Sequence, residues 1–157
     1  MSEEKKFEQA KAAVAVQQIW NEATPCETHP YLQTKKVKSY GLKMQNEKLL
    51  IPIFDENDNL VSMQSIWQVD SQKFFKKFFA GARKKGCYFV IGNICSEVII
   101  CEEYATGASI HECIEKPVVI AFDSNNLVEV AKTSGCTTGV FFCRSSLNVA
   151  NTSRTRS

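Results

Sequence analysis

The first twenty residues alternate between hydrophobic and polar positions with the spacing of an amphipathic helix. Glutamate and lysine side chains fill the positions between the apolar ones, so one face of such a helix is hydrophobic and the other is charged. We predict a helix from Glu3 to Trp20, ended by the segment from Asn21 to Pro25. Its apolar positions are Phe7, Ala10, Val14, Ile19 and Trp20.

A second pattern alternates with the period of a strand and is interrupted once. The stretch KLLIPIFDENDNLVSMQSIW, residues 48–67, breaks at Asp55–Asn59, which is typical of two strands joined by a hairpin loop. The preceding segment HPYLQTKKVKSYGLK, residues 29–43, is polar and contains Pro30 and Gly41. We predict a solvated turn there, with a small cluster of lysines.

A third strand is predicted within QKFFKKFFAGARKKG, residues 72–86, where phenylalanines and lysines interleave. Two interpretations are open. The cations and aromatic rings together could hold a nucleic-acid backbone, or a strand at a sheet edge could bury one face and use its lysines for solubility, with no ligand. The candidate nucleic-acid-binding residues are Lys73, Lys76, Lys77, Arg83, Lys84 and Lys85.

Beyond Gly86 the chain changes to short, continuous apolar runs. YFVI (88–91), EVIIC (97–101) and PVVIAF (117–122) are typical of strands buried on both faces, as in a parallel sheet. Helices are predicted at Tyr104–Glu115 and Asn125–Lys132, and another strand at Gly139–Cys143. This β-α-β alternation predicts an α/β part at residues 87–146, after a small α+β region at residues 1–86 and before a frayed tail at residues 147–157.

Composition narrows the class of protein without deciding its function. With 44% hydrophobic and 23% charged residues, the 157-residue chain is neither disordered nor a coiled coil. The net charge of +2 requires any nucleic-acid binding to come from a local basic patch. No apolar run reaches the roughly 18 to 20 residues of a membrane helix, and the charged start is unlike a signal peptide. We therefore expect a cytoplasmic protein with no membrane partner.

The seven cysteines include no CxxC pair, which fits free thiols that pack as small hydrophobic residues. Cys26 and His29 do have a C-x-x-H spacing that could supply half of a zinc site. No second pair follows at the distance found in zinc fingers, so this spacing alone is weak evidence for zinc.

Acidic residues follow two of the predicted parallel strands. Glu102 and Glu103 come directly after EVIIC, and Asp123 follows the run PVVIAF. Ligands collect at the carboxyl ends of parallel strands, because loops converge there with helix N-termini. Two acidic strand ends side by side could share one Mg²⁺ through oxygen ligands.

The stretch VIICEEYATGASIHECIEKPVVIAFDSNNLVEVAK, residues 98–132, resembles the Toprim core of plasmid- and phage-borne DNA primases. The pattern in that family runs strand, Cys-Glu-Gly-Tyr-Ala-Thr-Gly, helix, Pro-Val-Val, Ala-Phe-Asp, Asn-Leu. The upstream segments HPYLQTKKV, LLIPIFDENDNLVSMQSIW and YFVIGN resemble the region before that core. The resemblance implies a Toprim-like, Rossmann-like parallel sheet with helices, a general acid or base at Glu102, and a later Asp-x-Asp motif that binds Mg²⁺.

The chain departs from the family pattern at two places. Glu103 stands where the family has glycine, and it could itself be the functional acid in a shifted register. The strand expected to end in Asp-x-Asp reads GVFFCRSS, and no acid follows Glu129. The change of character near Thr133 resembles a truncation or a frame change in a gene from a mobile element.

The resemblance implies Mg²⁺-dependent nucleotidyl transfer in primer synthesis, during DNA replication or transfer, by Glu102 with Mg²⁺ held weakly at Glu102 and Asp123. Because the second metal motif is missing, we expect activity to be weak or absent. The alternative is an inert remnant that binds nucleic acid through the basic residues of the third strand. The partners implied are a DNA or RNA primer-template and other replication or helicase components.

Overall fold

The computed structural model describes residues 1–94, 97–134 and 140–143, the last range by its backbone alone. The chain divides into two compact units, Met1–Lys84 and Lys85–Ser157. The sequence places this boundary near Gly86. In the part of the chain that the structure describes, no helix is long and apolar enough to cross a membrane.

The first unit is a five-stranded antiparallel sheet with two helices. Its strands lie side by side in chain order and pair antiparallel throughout. The elements are α1 (Glu3–Glu22), β1 (Thr24–Pro25), α2 (Pro30–Lys35), β2 (Lys43–Gln45), β3 (Lys48–Phe54), β4 (Leu60–Asp70) and β5 (Lys73–Phe78).

Helix α1 forms where the sequence predicts it, but only part of the predicted apolar face packs against the sheet. Ser2 caps its N-terminus by accepting a hydrogen bond from the Lys5 N–H. Phe7 and Val14, predicted on the apolar face, are 71% and 60% exposed, and Ala10 is exposed as well, so this part of the prediction is wrong. Ile19 and Trp20 do pack against the core, as predicted. The residues that pack against Leu50 and Met63 lie in the C-terminal half of the helix and directly after it. They are Val16, Ile19 and Trp20, together with Ala23, the residue after the last turn.

The predicted hairpin is confirmed as β3 and β4, and its loop is organised by one carboxylate. Asp55 accepts hydrogen bonds at Oδ1 from the backbone N–H groups of Asn57 and Asn59, each at 2.9 Å. The Nδ2 group of Asn59 donates to Oδ2 at 3.2 Å. Burial acts to raise the pKa of Asp55, but these hydrogen bonds and the nearby Arg83 outweigh it and lower the pKa.

The predicted solvated turn at residues 29–43 is wrong. It contains α2 and ends at the first residue of β2, and Tyr31 and Leu32 are buried. Pro30 suits the first position of a helix because it has no N–H to satisfy there, and His29 Nδ1 caps the helix by accepting from the Tyr31 N–H at 3.1 Å.

The second unit has a mixed four-stranded sheet in the order β6-β8-β7-β9. Strands β8, β7 and β9 are parallel, and β6 pairs with β8 antiparallel. The fold is therefore mixed α/β, with one antiparallel and one mixed sheet. The elements are β6 (Phe89–Ile91), β7 (Val98–Cys101), α3 (Tyr104–Ile114), β8 (Val118–Ile120), a 3-10 turn (Ser124–Asn126), α4 (Leu127–Thr133) and β9 (Val140–Cys143).

Helix α3 lies so close to β8 that a glycine is needed between them. A Cβ added at Gly107 would overlap the Ile120 side chain and stand 3.0 Å from Val118. This glycine closes the motif YATG that follows the candidate acid.

Three of the described cysteines, Cys26, Cys87 and Cys101, are buried free thiols, as the sequence predicts, whereas Cys113 is exposed on α3. The predicted strand Gly139–Cys143 is present as β9 from Val140 to Cys143, and Gly139 lies outside the described residues. The predicted tail at residues 147–157 lies outside the described residues.

Candidate functional site

The two predicted metal-binding acids lie at the same edge of the second sheet. Strands β7 and β8 are parallel neighbours, with Cys101 opposite Ile120. The pairing continues past the strand ends, because the Ala121 N–H donates to the Cys101 carbonyl at 2.8 Å. Glu102 directly follows β7 and Asp123 follows β8 by three residues, so both come from carboxyl ends at one edge.

The residue after Glu102 adopts a conformation that accepts a side chain. Glu103 has φ −131° and ψ 159°, which is extended backbone open to any residue. Its Oε1 accepts a hydrogen bond from the Thr106 hydroxyl at 3.3 Å, in the first turn of α3. The replacement of the family's glycine by Glu103 therefore causes no backbone strain here.

Asp123 has a capping role of its own. Its Oδ1 accepts a hydrogen bond at 2.9 Å from the N–H of Asn126, at the end of the 3-10 turn. The residue before it, Phe122, has φ +74°, a strained conformation for a bulky side chain. Such strain is found preferentially at functional sites.

Asn126 is a buried residue that sequence reasoning did not single out, and it holds this strand end in place. Its Nδ2 donates to the carbonyls of Ala121 at 2.9 Å and Cys87 at 3.1 Å. Its Oδ1 accepts from the N–H of Gly86 at 2.8 Å. No local signal could have found it, because two of these partners lie about 40 residues away.

The carboxylate oxygens of Glu102 and Asp123 are the type of ligand that Mg²⁺ prefers. Magnesium takes oxygen ligands and is commonly bound by one or two carboxylates together with water and phosphate. Glu102 and Asp123 are both partly buried at the same sheet edge and supply such oxygens. Within residues 1–94 and 97–134, no group of three or more His, Cys, Asp or Glu side chains is positioned to hold a metal. The segment after Cys143, where the family pattern would place a further acidic motif, contains no Asp or Glu and lies outside the described residues.

The Cys26–His29 pair has a structural role. His29 Nδ1 accepts from the Tyr31 N–H, so the proton is on Nε2, which donates to the Glu47 carbonyl at 2.9 Å. Burial raises the pKa of the Cys26 thiol, against the weaker opposing effect of a hydrogen bond with the Thr28 backbone. Both groups are engaged in holding their own loop.

The predicted basic residues of β5 lie on both faces of the strand. Lys73 and Lys77 are exposed on β5, on either side of Phe75. Lys76 lies with its ammonium 5.4 Å from the centre of the Tyr31 ring, and Lys84 lies 4.5 Å from that of Phe78.

The remaining two predicted basic residues, Arg83 and Lys85, follow β5 in the chain. Arg83 makes a two-pronged ion pair with Glu56, at 3.0 and 3.4 Å. Lys85 is exposed and belongs to the second unit.

Comparison with known proteins finds DNA primases. The chain is 33% identical over 111 residues to the DNA primase TraC of Escherichia coli, and 32% identical over 114 residues to a second DNA primase TraC of the same organism. These matches support a primase-related origin. They cover 66% and 68% of the primase-related chain but only 7% and 10% of the relatives, so it corresponds to a small part of each. No family model and no solved structure matches it.

Proposed function

We propose that this primase-related chain carries a Toprim-like unit that performs weak Mg²⁺-dependent nucleotidyl transfer in primer synthesis, during DNA replication or transfer. The observation that supports the proposal most is the placement of Glu102 and Asp123 at the carboxyl ends of two adjacent parallel strands. The similarity to DNA primases over two thirds of the chain supports the same reaction class. A DNA or RNA primer-template is the proposed substrate, and other replication or helicase components are the proposed partners.

In this proposal Glu102 and Asp123 hold the metal and Glu102 also exchanges a proton. When bound, Mg²⁺ would supply positive charge against the phosphate. The Glu102 carboxylate, half-buried beside the start of α3, accepts or returns the proton of the attacking hydroxyl. Asp123 is positioned by its hydrogen bond to Asn126, which orients the carboxylate before any ligand arrives.

The activity is expected to be low because the chain has only part of the acidic set that the Toprim resemblance implies. No Asp or Glu follows Glu129 in the sequence, so β9 leads into no second acidic motif. Cysteine, arginine and serine at that strand end cannot replace the missing negative charge.

The proposal is tested by titrating Mg²⁺ into the purified chain by isothermal calorimetry. We expect saturable binding at millimolar Mg²⁺ that Glu102→Gln abolishes. Glu103→Gln is the matched control, since it removes the adjacent carboxylate and should leave binding unchanged. Primer synthesis on a single-stranded template is then measured for the same three proteins.

Three results would contradict this proposal: no heat of binding in the unmodified chain, binding retained in Glu102→Gln, or binding lost only in Glu103→Gln. The last of these would move the functional acid to Glu103.

A second candidate is an inert remnant that binds nucleic acid through the basic residues of the third strand and the segment after it. The exposed Lys73 and Lys77 beside Phe75 favour it. Binding of this kind weakens steeply with salt and is indifferent to Mg²⁺. Measuring affinity for an oligonucleotide with and without Mg²⁺, over a range of salt, separates the two candidates.

A further inference from the structure

Within the first unit, as far as the structure describes it, helix α1 covers only one half of its face of the sheet. Helix α1 packs over Leu50 of β3 and Met63 of β4. Trp67 lies four residues beyond Met63 on β4 and therefore points to the same face. Its cross-strand partner Phe75 is 51% exposed. The helix thus shields one end of this face and leaves aromatic surface at the other.

The open end carries an ordered aromatic pair. Trp67 and Phe75 stack with ring centres 5.8 Å apart and planes 16° from parallel. The ammonium of Lys48, on β3, lies 4.8 Å from the centre of the Trp67 ring. Strand β5 is the last in the sheet, so the side of the Phe75 ring away from Trp67 looks out over the sheet edge.

Two lysines flank this outward ring. Lys73 and Lys77 stand two residues before and after Phe75 on β5, so they share its face. Both are exposed, and within the described residues neither makes an ion pair or lies over a ring. Lys76 points to the opposite face, over Tyr31. Strand alternation therefore sorts the lysines of β5 into two groups.

We propose that this surface, formed by Lys48, Trp67, Lys73, Phe75 and Lys77 and called here the stacking platform, binds single-stranded nucleic acid. A base stacks on the outer side of Phe75, and backbone phosphates pair with Lys73 and Lys77. The proposal rests on the proposed relation to nucleic acid but uses none of the residues of the acidic sheet edge.

The chemistry of the stacking platform favours a single strand over other occupants. Every base has a flat face that stacks on an aromatic ring, and only an unpaired strand presents that face freely. Lysines spaced along a strand complement a row of phosphates. An added peptide strand is disfavoured, because charged side chains on an edge strand oppose further pairing.

The test measures binding of a fluorescein-labelled oligothymidine to the full chain by anisotropy, with the matching RNA and a duplex as further arms. Phe75→Ala should weaken binding about 5- to 140-fold, the range expected for one lost base stack. Phe75→Trp should keep it. Phe7→Ala is the matched control, because Phe7 is 71% exposed on α1, outside the stacking platform.

A second arm measures salt dependence. The double variant Lys73→Gln with Lys77→Gln should lower the slope of log affinity against log salt by about 1.4, since each single-strand phosphate contact contributes about 0.7. The double variant Lys76→Gln with Lys84→Gln is the matched control, because these two lysines lie over the rings of Tyr31 and Phe78. It should leave the slope unchanged.

Three results would each overturn the proposed stacking platform. The first is that oligothymidine does not bind the unmodified chain. The others are an equal loss of affinity in Phe7→Ala and Phe75→Ala, and an equal change of the salt slope in both lysine pairs. Tighter binding of the duplex than of the single strands would do so as well. Oligothymidine binding is measured without Mg²⁺, whereas the metal site is tested by Mg²⁺ titration, so a failure of the metal site and a failure of the stacking platform give different results.

Discussion

A single buried amide shows how much of the second unit depends on one residue. Asn126 satisfies the backbone of Gly86, Cys87 and Ala121 through its amide and receives the Asp123 carboxylate on its own N–H. A buried polar group costs free energy unless it is hydrogen-bonded, so losing any one of these bonds destabilises the unit. The position of the candidate metal-binding acid is therefore inseparable from the folding of its unit.

At the same scale, Asp55 makes the hairpin loop sensitive to acid. Its lowered pKa means that it stabilises the fold fully above the unfolded value near pH 4, and that this contribution is lost as the pH falls through the lowered folded value. Asp55→Asn should destabilise the chain by about 1–3 kcal/mol at pH 7, because a buried, multiply bonded carboxylate is lost.

The measurement is urea unfolding of both proteins at pH 7 and at pH 3, where the difference between them should shrink. Asp58→Asn, in the same loop, is the control: Asp58 is exposed with φ +61°, a conformation that asparagine also adopts readily. Equal differences at both pH values would show that the charge of Asp55 is not what stabilises the loop.

At the scale of elements, the sequence predicts those with many periods or a clear break. The alternating pattern on either side of residues 55–59 predicts strands β3 and β4, and the continuous apolar runs predict strands β6, β7 and β8. The strands β1 and β2 have two and three residues, too few to show a period. In α1 the alternation predicts the helix, but the sheet below it decides which face is buried, and this is why Phe7 and Val14 were misplaced.

The sequence likewise predicts one part of the candidate site and misses another. Strand-end logic predicts that Glu102 and Asp123 share an edge, and the parallel pairing of β7 and β8 places them there. Their roles in catalysis and metal binding stay predictions. The basic residues of the third strand were predicted as one group because a list of cations does not say which face of a strand each one takes.

Gly107 gives a prediction at the level of helix and sheet. Gly107→Ala should destabilise the second unit by about 1–3 kcal/mol, although alanine is the better helix former, because its Cβ overlaps Ile120. Thermal unfolding followed by circular dichroism measures it. Ser109→Ala, at an exposed position of α3, should be neutral or slightly stabilising. A neutral Gly107→Ala would mean that α3 can move away from β8 at little cost.

At the scale of the whole molecule, each unit has a hydrophobic core built from its own residues. One core joins α1 to β3 and β4 through Val16, Leu50 and Met63, and the other includes Ile100, Val119 and further side chains of the second unit. A unit with its own core can fold by itself. We expect residues 1–84, produced alone, to unfold cooperatively on heating.

The fragment is checked by circular dichroism and a thermal scan. Leu50→Ala should destabilise it by about 2–5 kcal/mol, the usual cost of such a cavity in a core. A featureless scan for the unmodified fragment would show that this unit needs the rest of the chain.

The exposed thiol of Cys113 affects how the oligomeric state of this chain can be measured. Among the cysteines that the structure describes, Cys26, Cys87 and Cys101 are sheltered from oxidants, whereas Cys113 is open to air. Two chains that oxidise at this position become covalently joined through their α3 helices. A dimer that disappears when reductant is added would thus be a product of oxidation, and only a species that persists with thiols kept reduced would reflect self-association.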